Sequence, residues 1–273
     1  IFSGDNFMSN EIIFPLIADA DISQSYGNTT YIVNGNLGTE TMTLSDFGAE
    51  EGWSGHRATK AWYGLFNDGD LENSTDDRAA LFWTEGHNYE MTDYRAWTDG
   101  YPAVKFRNTF FFSDSNPTSF SSTDFPLFRL ADAYLMYAEL AVRGASGTEM
   151  ATALGYVNDV RNRSNASSIS QSALTLDFIL DERARELNLE GHRRSDLIRF
   201  GKFTGNSYLW PWKGNTLNGT SIPDTYRLFP IPLTALEANE NLTQNPGLYS
   251  YQDFSYLLNN PKQVFLIDYL IAI

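Results

Sequence analysis

Apolar positions change their rhythm once along the chain. Up to about residue 123 they fall in short runs without a helical period. Asn10–Ile17 is an apolar run ending in Asp19 and Asp21, which reads as a short buried strand. Turn signals crowd the next sixty residues: Asn34-Gly35-Asn36, Gly48, Gly52, Gly55 and Asp68-Gly69-Asp70 leave no room for long helices. From Pro126 the spacing becomes helical, with Leu127, Leu130, Ala131, Tyr134, Leu135, Ala138 and Val142 in register and much of the other surface apolar too. Such a helix is usually buried. Gly144 and Gly147 break it. Ser146 with Glu149 is a capping-box pattern that opens a second helix, carrying Met150, Ala151, Leu154 and Val157, to about Arg163. Two helices on so short a connection make a hairpin. A third helix is predicted from Thr175, with Asp177 in its first turn, a stripe of Ile179, Leu180, Ala184 and Leu187, and a stop at Gly191. Along it Asp181–Arg185 and Arg183–Glu186 occupy neighbouring positions. Asp196–Phe203 reads as one more short helix, capped by Ser195. Beyond Gly205 the pattern is loop, with Arg227–Ile231 as an edge strand or docked extended segment. No fixed-period repeat is present.

Composition narrows the function classes. At 273 residues and 42% hydrophobic, the chain can bury the core of one large domain or two small ones. A formal charge of -15 disfavours nucleic acid and anionic lipid as partners. There is no Cys, so disulfides and thiolate metal sites are excluded. His56, His87 and His192 lie far apart and match no metal spacing, so neither metal nor cofactor is expected. His56 and His87 read as lone hydrogen-bonding residues. The chain opens on Ile1 with no secretory signal, which reads as a fragment.

Five motifs are spaced in order along the second half. Pro126–Glu139 reads PLFRLADAYLMYAE, and Tyr156–Arg163 reads YVNDVRNR. Asp181–Lys202 reads DERARELNLEGHRRSDLIRFGK, Phe229–Pro232 reads FPIP, and Gln244–Gly247 reads QNPG. Together they resemble the C-terminal portion of the SusD/RagB family; Asn10–Phe14 and Val104–Phe106 are similar to it more weakly. The resemblance implies a mainly α fold, with tetratricopeptide-like helical hairpins packed against a long irregular region with short strands. It implies that the N-terminal helical half and a lipidated Cys lie outside this fragment. It implies a lipid-anchored, surface-exposed protein of the outer membrane, partnered with a SusC-like TonB-dependent transporter, binding oligosaccharide or polysaccharide and catalysing nothing. Three regions are expected: an aromatic-rich ligand-binding region over 1–124, the family-like helical region with its closing loop over 125–247, and an unassigned tail over 248–273 that includes Val264–Ile267 and the ending Tyr269–Ile273.

Two residue clusters compete for the site. Glu186 and Glu190 lie four apart, and a glycosidase needs two carboxylates roughly 5 to 9.5 Å apart. The Arg-rich surroundings, however, lower carboxylate pKa where a general acid needs it raised. Arg129, Glu139, Arg161, Arg183, Glu186, Glu190, Arg193 and Asp196 therefore read as a structural ion-pair network. The aromatic positions suit ligand better. Trp53, Trp62, Trp83 and Trp97, with Tyr94 and Tyr101, can stack on sugar C–H faces, and Arg95 and Asp99 can bind hydroxyls. Trp210 and Trp212 read as pins for their loop rather than a second platform. Asn67–Glu72 with Asp76 and Asp77 lacks the alternation of a calcium loop and reads as a solvated acidic turn. The leading function is non-catalytic capture of starch or oligosaccharide for uptake; peptide import on the same architecture and glycoside hydrolysis are the alternatives.

Overall fold

The computed structural model describes residues 1–114 and 116–248. The tail from 249, with the apolar runs near its end, lies outside the described residues. Among them the chain forms seven α-helices, several 3-10 turns and one two-stranded sheet. Two compact units are present, Ile1–Arg193 and a second beginning at Arg194. The change of texture near residue 125 lies inside the first unit.

In that unit the irregular region carries α1 (Asn28–Gly35) and the single turn α2 (Lys60–Tyr63). Its core is aromatic. One cluster gathers Val33, Leu37, Phe47, Trp97, Val104 and Phe106; another gathers Tyr63, Phe66, Ala79 and Phe82. Backbone hydrogen bonds are satisfied by turns and isolated bridges, such as Ala58 with Tyr101 and Phe82 with Ala103.

β1 (Ile12–Leu16) pairs antiparallel with β2 (Phe125–Arg129), from Ile12 opposite Arg129 to Leu16 opposite Phe125. Two expectations change here. The strand at 12–16 is not buried: Ile13, Phe14, Leu16 and Ile17 are exposed. The family-like segment begins as strand, because Phe125–Arg129 pairs with β1, so Leu127 stands on a strand and not on a helix. Pro15 opposite Pro126 removes donors from the ladder, and the register is irregular at the two steps before it, Ile12 to Phe14 and Phe14 to Pro15.

α3 (Leu130–Val142) buries Ala131, Leu135 and Ala138 at spacings of four and three. It packs against α4 (Met150–Arg163), which buries Ala153, Val157 and Val160, and against α5 (Leu176–Glu186), which buries Ile179, Leu180 and Ala184. Tyr134 stacks on Tyr156 at 4.2 Å between ring centroids. α3 is open on one side: Leu130, Met136 and Leu140 are exposed among the described residues, against the expectation of burial all round. The Ser146–Glu149 capping box does not form. Glu149 itself is the N-cap of α4 and makes no side-chain cap bond, while its own N–H donates to the Tyr137 hydroxyl. Thr175 does cap α5, accepting from the N–H of Phe178. α5 ends at Glu186, five residues before Gly191, with Leu187 as its C-cap.

The second unit takes in most of α6 (Arg193–Arg199), which starts earlier than the predicted 196–203, and α7 (Leu233–Ala238) within the stretch read as loop. Its two closing motifs meet. Gln244 exchanges two hydrogen bonds with the backbone of Ile231, and Asn245 donates to the Phe229 carbonyl. Phe229–Ile231 is thus a docked extended segment, while Arg227 closes the preceding 3-10 turn. Trp210 is buried and stacked with Phe203, and the buried Lys213 ammonium lies 4.5 Å from its ring. Trp212 adopts φ +70 in the same loop.

Candidate functional site

Sequence reasoning named two clusters, and the structure gives each a distinct environment. The charged one is the interior of the first unit. Glu186 is buried and accepts from Arg78 (2.8 Å), Arg129 (2.7 Å) and Arg163 (2.7 Å). Glu190 accepts from Lys105 and Arg129, and Glu182 from Arg78, Arg161 and Arg185. Arg129 also reaches Glu11, Arg183 pairs with Asp132 at 2.7 Å, and Arg78 is held by Asp76. Arg183 thus crosses to another helix and Arg185 pairs with Glu182, while the Arg185 charge also acts on Asp181. Of the remaining named residues, Glu139 pairs with Arg143 at 2.9 Å and Arg193 donates to the Leu180 carbonyl. Asp196 pairs with Arg199 within the second unit.

Electrostatics decide what this cluster can do. Burial pushes the Glu186 carboxyl up, but Arg129, Arg163, Arg78 and Lys105 outweigh it and hold it at about 2. Glu190 is likewise lowered, burial being overcome by Lys105 and Arg129. Burial pulls the Lys105 ammonium down to about 8, against the Glu190 carboxylate. Two carboxylates kept ionised and saturated with cationic donors cannot serve as a general acid.

The aromatic positions separate into packing and surface. Trp97 is 8% exposed and belongs to the core, its indole N–H directed at Thr41. Trp62 is half-buried, edge-on to Phe82, and donates to the Ala184 carbonyl on α5. Trp83 is half-buried against Phe47. Tyr101 packs on Tyr63 at 4.4 Å. Asp99 is buried and organises a turn, accepting from the N–H groups of Thr92 and Asp93 and from Asn88; those bonds hold its carboxyl at about 2. Tyr94 and Arg95 belong to the same turn, where Arg95 pairs with Asp93 and Arg57 donates to the Tyr94 carbonyl. This packing separates the four candidate Trp: Trp97, like Asp99, is interior, and Trp53 is the most open of the four.

Trp53 stands in a row the sequence did not mark. Its ring lies 6.1 Å from Tyr26 and 6.1 Å from Tyr31, and both tyrosines are more than half exposed. Tyr26 leans on Phe120 at 5.1 Å, and Tyr31 on His56 at 4.6 Å. Successive planes are inclined by 52° to 59°, so the row curves. Its backbone is fixed to the end of α1: Trp53 N–H donates to Asn34 O, Ser54 to Leu37 O, and Gly55 and His56 to Gly35 O. The indole N–H of Trp53 donates to Glu51 at 3.1 Å, which sets the ring plane and leaves carboxylate oxygen at its edge. Flat, exposed, rigidly held rings edged by hydroxyl-binding groups are what a sugar face requires.

Comparisons with known proteins agree with this architecture. The model of the SusD family matches residues 81–248. The starch-binding protein SusD of Bacteroides thetaiotaomicron is 34% identical over 87% of this chain and 49% of its own length. A SusD superfamily protein from Bacteroides vulgatus superposes with a TM-score of 0.63 at 22% identity, covering 91% of this chain and 49% of that one. Surface glycan-binding protein A from Bacteroides thetaiotaomicron, in complex with laminarihexaose, superposes with a TM-score of 0.57 at 22% identity, covering 89% of this chain and 54% of that one. This chain thus spans about half the length of such relatives.

Proposed function

Because the chain belongs to the SusD family, we propose that it forms part of a non-catalytic glycan-binding protein of a bacterial cell surface. The row Tyr26–Trp53–Tyr31 carries this reading. It offers stacking faces at three successive positions, with Glu51 beside them to accept from sugar hydroxyls. The relatives named for starch binding and glycan binding point to the same ligand class. The whole protein then works in the outer membrane, lipid-anchored beside a SusC-like TonB-dependent transporter that takes up what it captures; these features rest on the family resemblance. Hydrolysis is disfavoured by the cation-saturated state of Glu186 and Glu190.

Titration calorimetry with maltohexaose and laminarihexaose tests the reading. Trp53→Ala is expected to weaken binding by about 1–3 kcal/mol, the scale of one flat group stacked on an aromatic ring. Its melting temperature should fall much less than that of a fully buried Trp, since Trp53 is 36% exposed. Wild-type affinity in Trp53→Ala refutes the site, and release of shorter sugars by purified protein refutes the absence of catalysis.

A further inference from the structure

The three histidines differ in a way that singles one out. His87 is spent on the fold: one ring nitrogen meets Thr41 Oγ1 at 3.0 Å and the other the Gly100 carbonyl at 2.9 Å. His56 is held as firmly but through its backbone and its ring face. Its N–H donates to Gly35 O, its ring lies 4.6 Å from Tyr31, and its edge rests over Gly35. A Cβ at position 35 would stand 2.3 Å from His56 Nδ1, so a residue without a side chain is what admits the ring. Neither His56 ring nitrogen has a hydrogen-bond partner among the described residues. The buried side-chain atoms left unpartnered there are Thr29 Oγ1, Asn188 Oδ1 and Arg194 Nε. The His56 nitrogens are not among them; Nδ1 is the one set against Gly35, which leaves Nε2 as the nitrogen a ligand can reach.

We infer that His56 is the fourth ring of the row and hydrogen-bonds directly to a hydroxyl of the bound sugar. This rests on the glycan-binding reading and extends it by one contact. The chemistry fits: neutral imidazole carries one donor and one acceptor, and a sugar hydroxyl is both. Burial, and then the charge of Arg57 next door, keep the imidazole below its ordinary value, so it is neutral at neutral pH. The charged groups nearby do not replace it. Arg57 donates to the carbonyls of Gly55, Tyr94, Ala96 and Asp99, and the Glu51 carboxylate, which also holds Trp53, can accept from a hydroxyl but not donate to one. An aromatic neighbour at its face, Gly35 against its Nδ1 edge and an unbonded Nε2 distinguish His56 from a packing histidine.

Three histidines make the test clean. In protein labelled with 15N at the imidazoles, maltohexaose or laminarihexaose is added while calorimetry reports binding. The His56 ring signals are expected to shift, and those of His87 and His192 to stay. His56→Ala should weaken binding about 3- to 10-fold, the net scale of one hydrogen bond. His56→Phe, which keeps a flat ring and removes the nitrogens, should weaken it in the same direction with unchanged melting. Calorimetric binding that Trp53→Ala weakens, with silent His56 signals, or wild-type affinity in both His56 variants, overturns the inference and leaves the glycan site standing. Failure of both sugars to bind the wild type removes the site and His56 with it.

Discussion

Replacing Glu186 by Gln keeps the shape of the side chain and removes its charge. In the native protein its two oxygens accept from three guanidinium groups at 2.7 to 2.8 Å, and two of those, on Arg78 and Arg129, are themselves buried. The amide keeps one acceptor and turns an NH2 group toward a guanidinium, setting donor against donor. Removing one partner from buried charges costs about 3–5 kcal/mol. At about 2–4 °C per kcal/mol for a domain of this size, the melting temperature should fall by roughly 6–20 °C. Acid titration gives a second readout. The folded carboxyl sits at about 2, against an ordinary value of 4.5. A depressed carboxyl stabilises the fold above its ordinary value, and that contribution disappears as pH falls from about 4.5 to about 2. It amounts to on the order of 3 kcal/mol in the wild type and is absent in the variant, whose acid-side slope should be shallower. Circular-dichroism melts between pH 2.5 and 7 measure both. Sugar binding by folded variant should persist, since no ring of the row is a partner of Glu186. A variant that melts within about 2 °C of wild type at pH 7, with an unchanged acid slope, refutes the network as a stabilising element.

Trp97→Ala should behave oppositely to Trp53→Ala, costing about 3–5 kcal/mol in urea denaturation because it empties a core site under Gly38. Asp99→Asn should cost about 1–3 kcal/mol by the same measurement, since an amide cannot accept from Thr92, Asp93 and Asn88 together. Thr175→Ala should cost about 1 kcal/mol through loss of the α5 cap, and Thr175→Ser should restore most of it in a paired melt.

Legibility followed the physical source of each feature. The helices at α3, α4 and α5 were readable because their buried stripes recur at three- and four-residue spacing. The strand at Phe125–Arg129 was not, because its apolar residues also fit the helical count that continues into α3, and only pairing with Ile12–Leu16 decides between them. In the charged cluster, motif residues such as Glu186 and Arg129 were visible. Arg78 was not, and Glu11 and Lys105, though inside weakly family-like segments, were not placed in the cluster, since each finds its acid or base at long range. The aromatic row was half legible. Counting Trp found Trp53 together with three packing residues, because composition carries no information about exposure. Tyr26 and Tyr31 flank the start of α1, and the one local hint was a Gly-Asn boundary at Gly27 placing them beside a helix start. His56 looked isolated because its neighbour in space, Tyr31, is 25 positions away.

The interior ion pairs also bear on how the first unit folds. They link Glu11 to Arg129 across 118 residues, Arg78 to Glu186 across 108 and Lys105 to Glu190 across 85. Closing such loops adds only slowly to the entropic barrier, but pairings this distant in sequence slow the search for the native arrangement. A partly assembled state would strand cations or carboxylates in a dry interior without their counterparts, so early collapse gains little from these groups. The helices around Tyr134 and Tyr156 can form from local contacts, whereas the irregular segment bearing Trp53 must wait for Arg78 and Lys105 to reach their acids. Once it has done so, opening that segment alone means exposing the same charges one by one, which opposes local unraveling and proteolytic nicking beneath the ring-bearing surface.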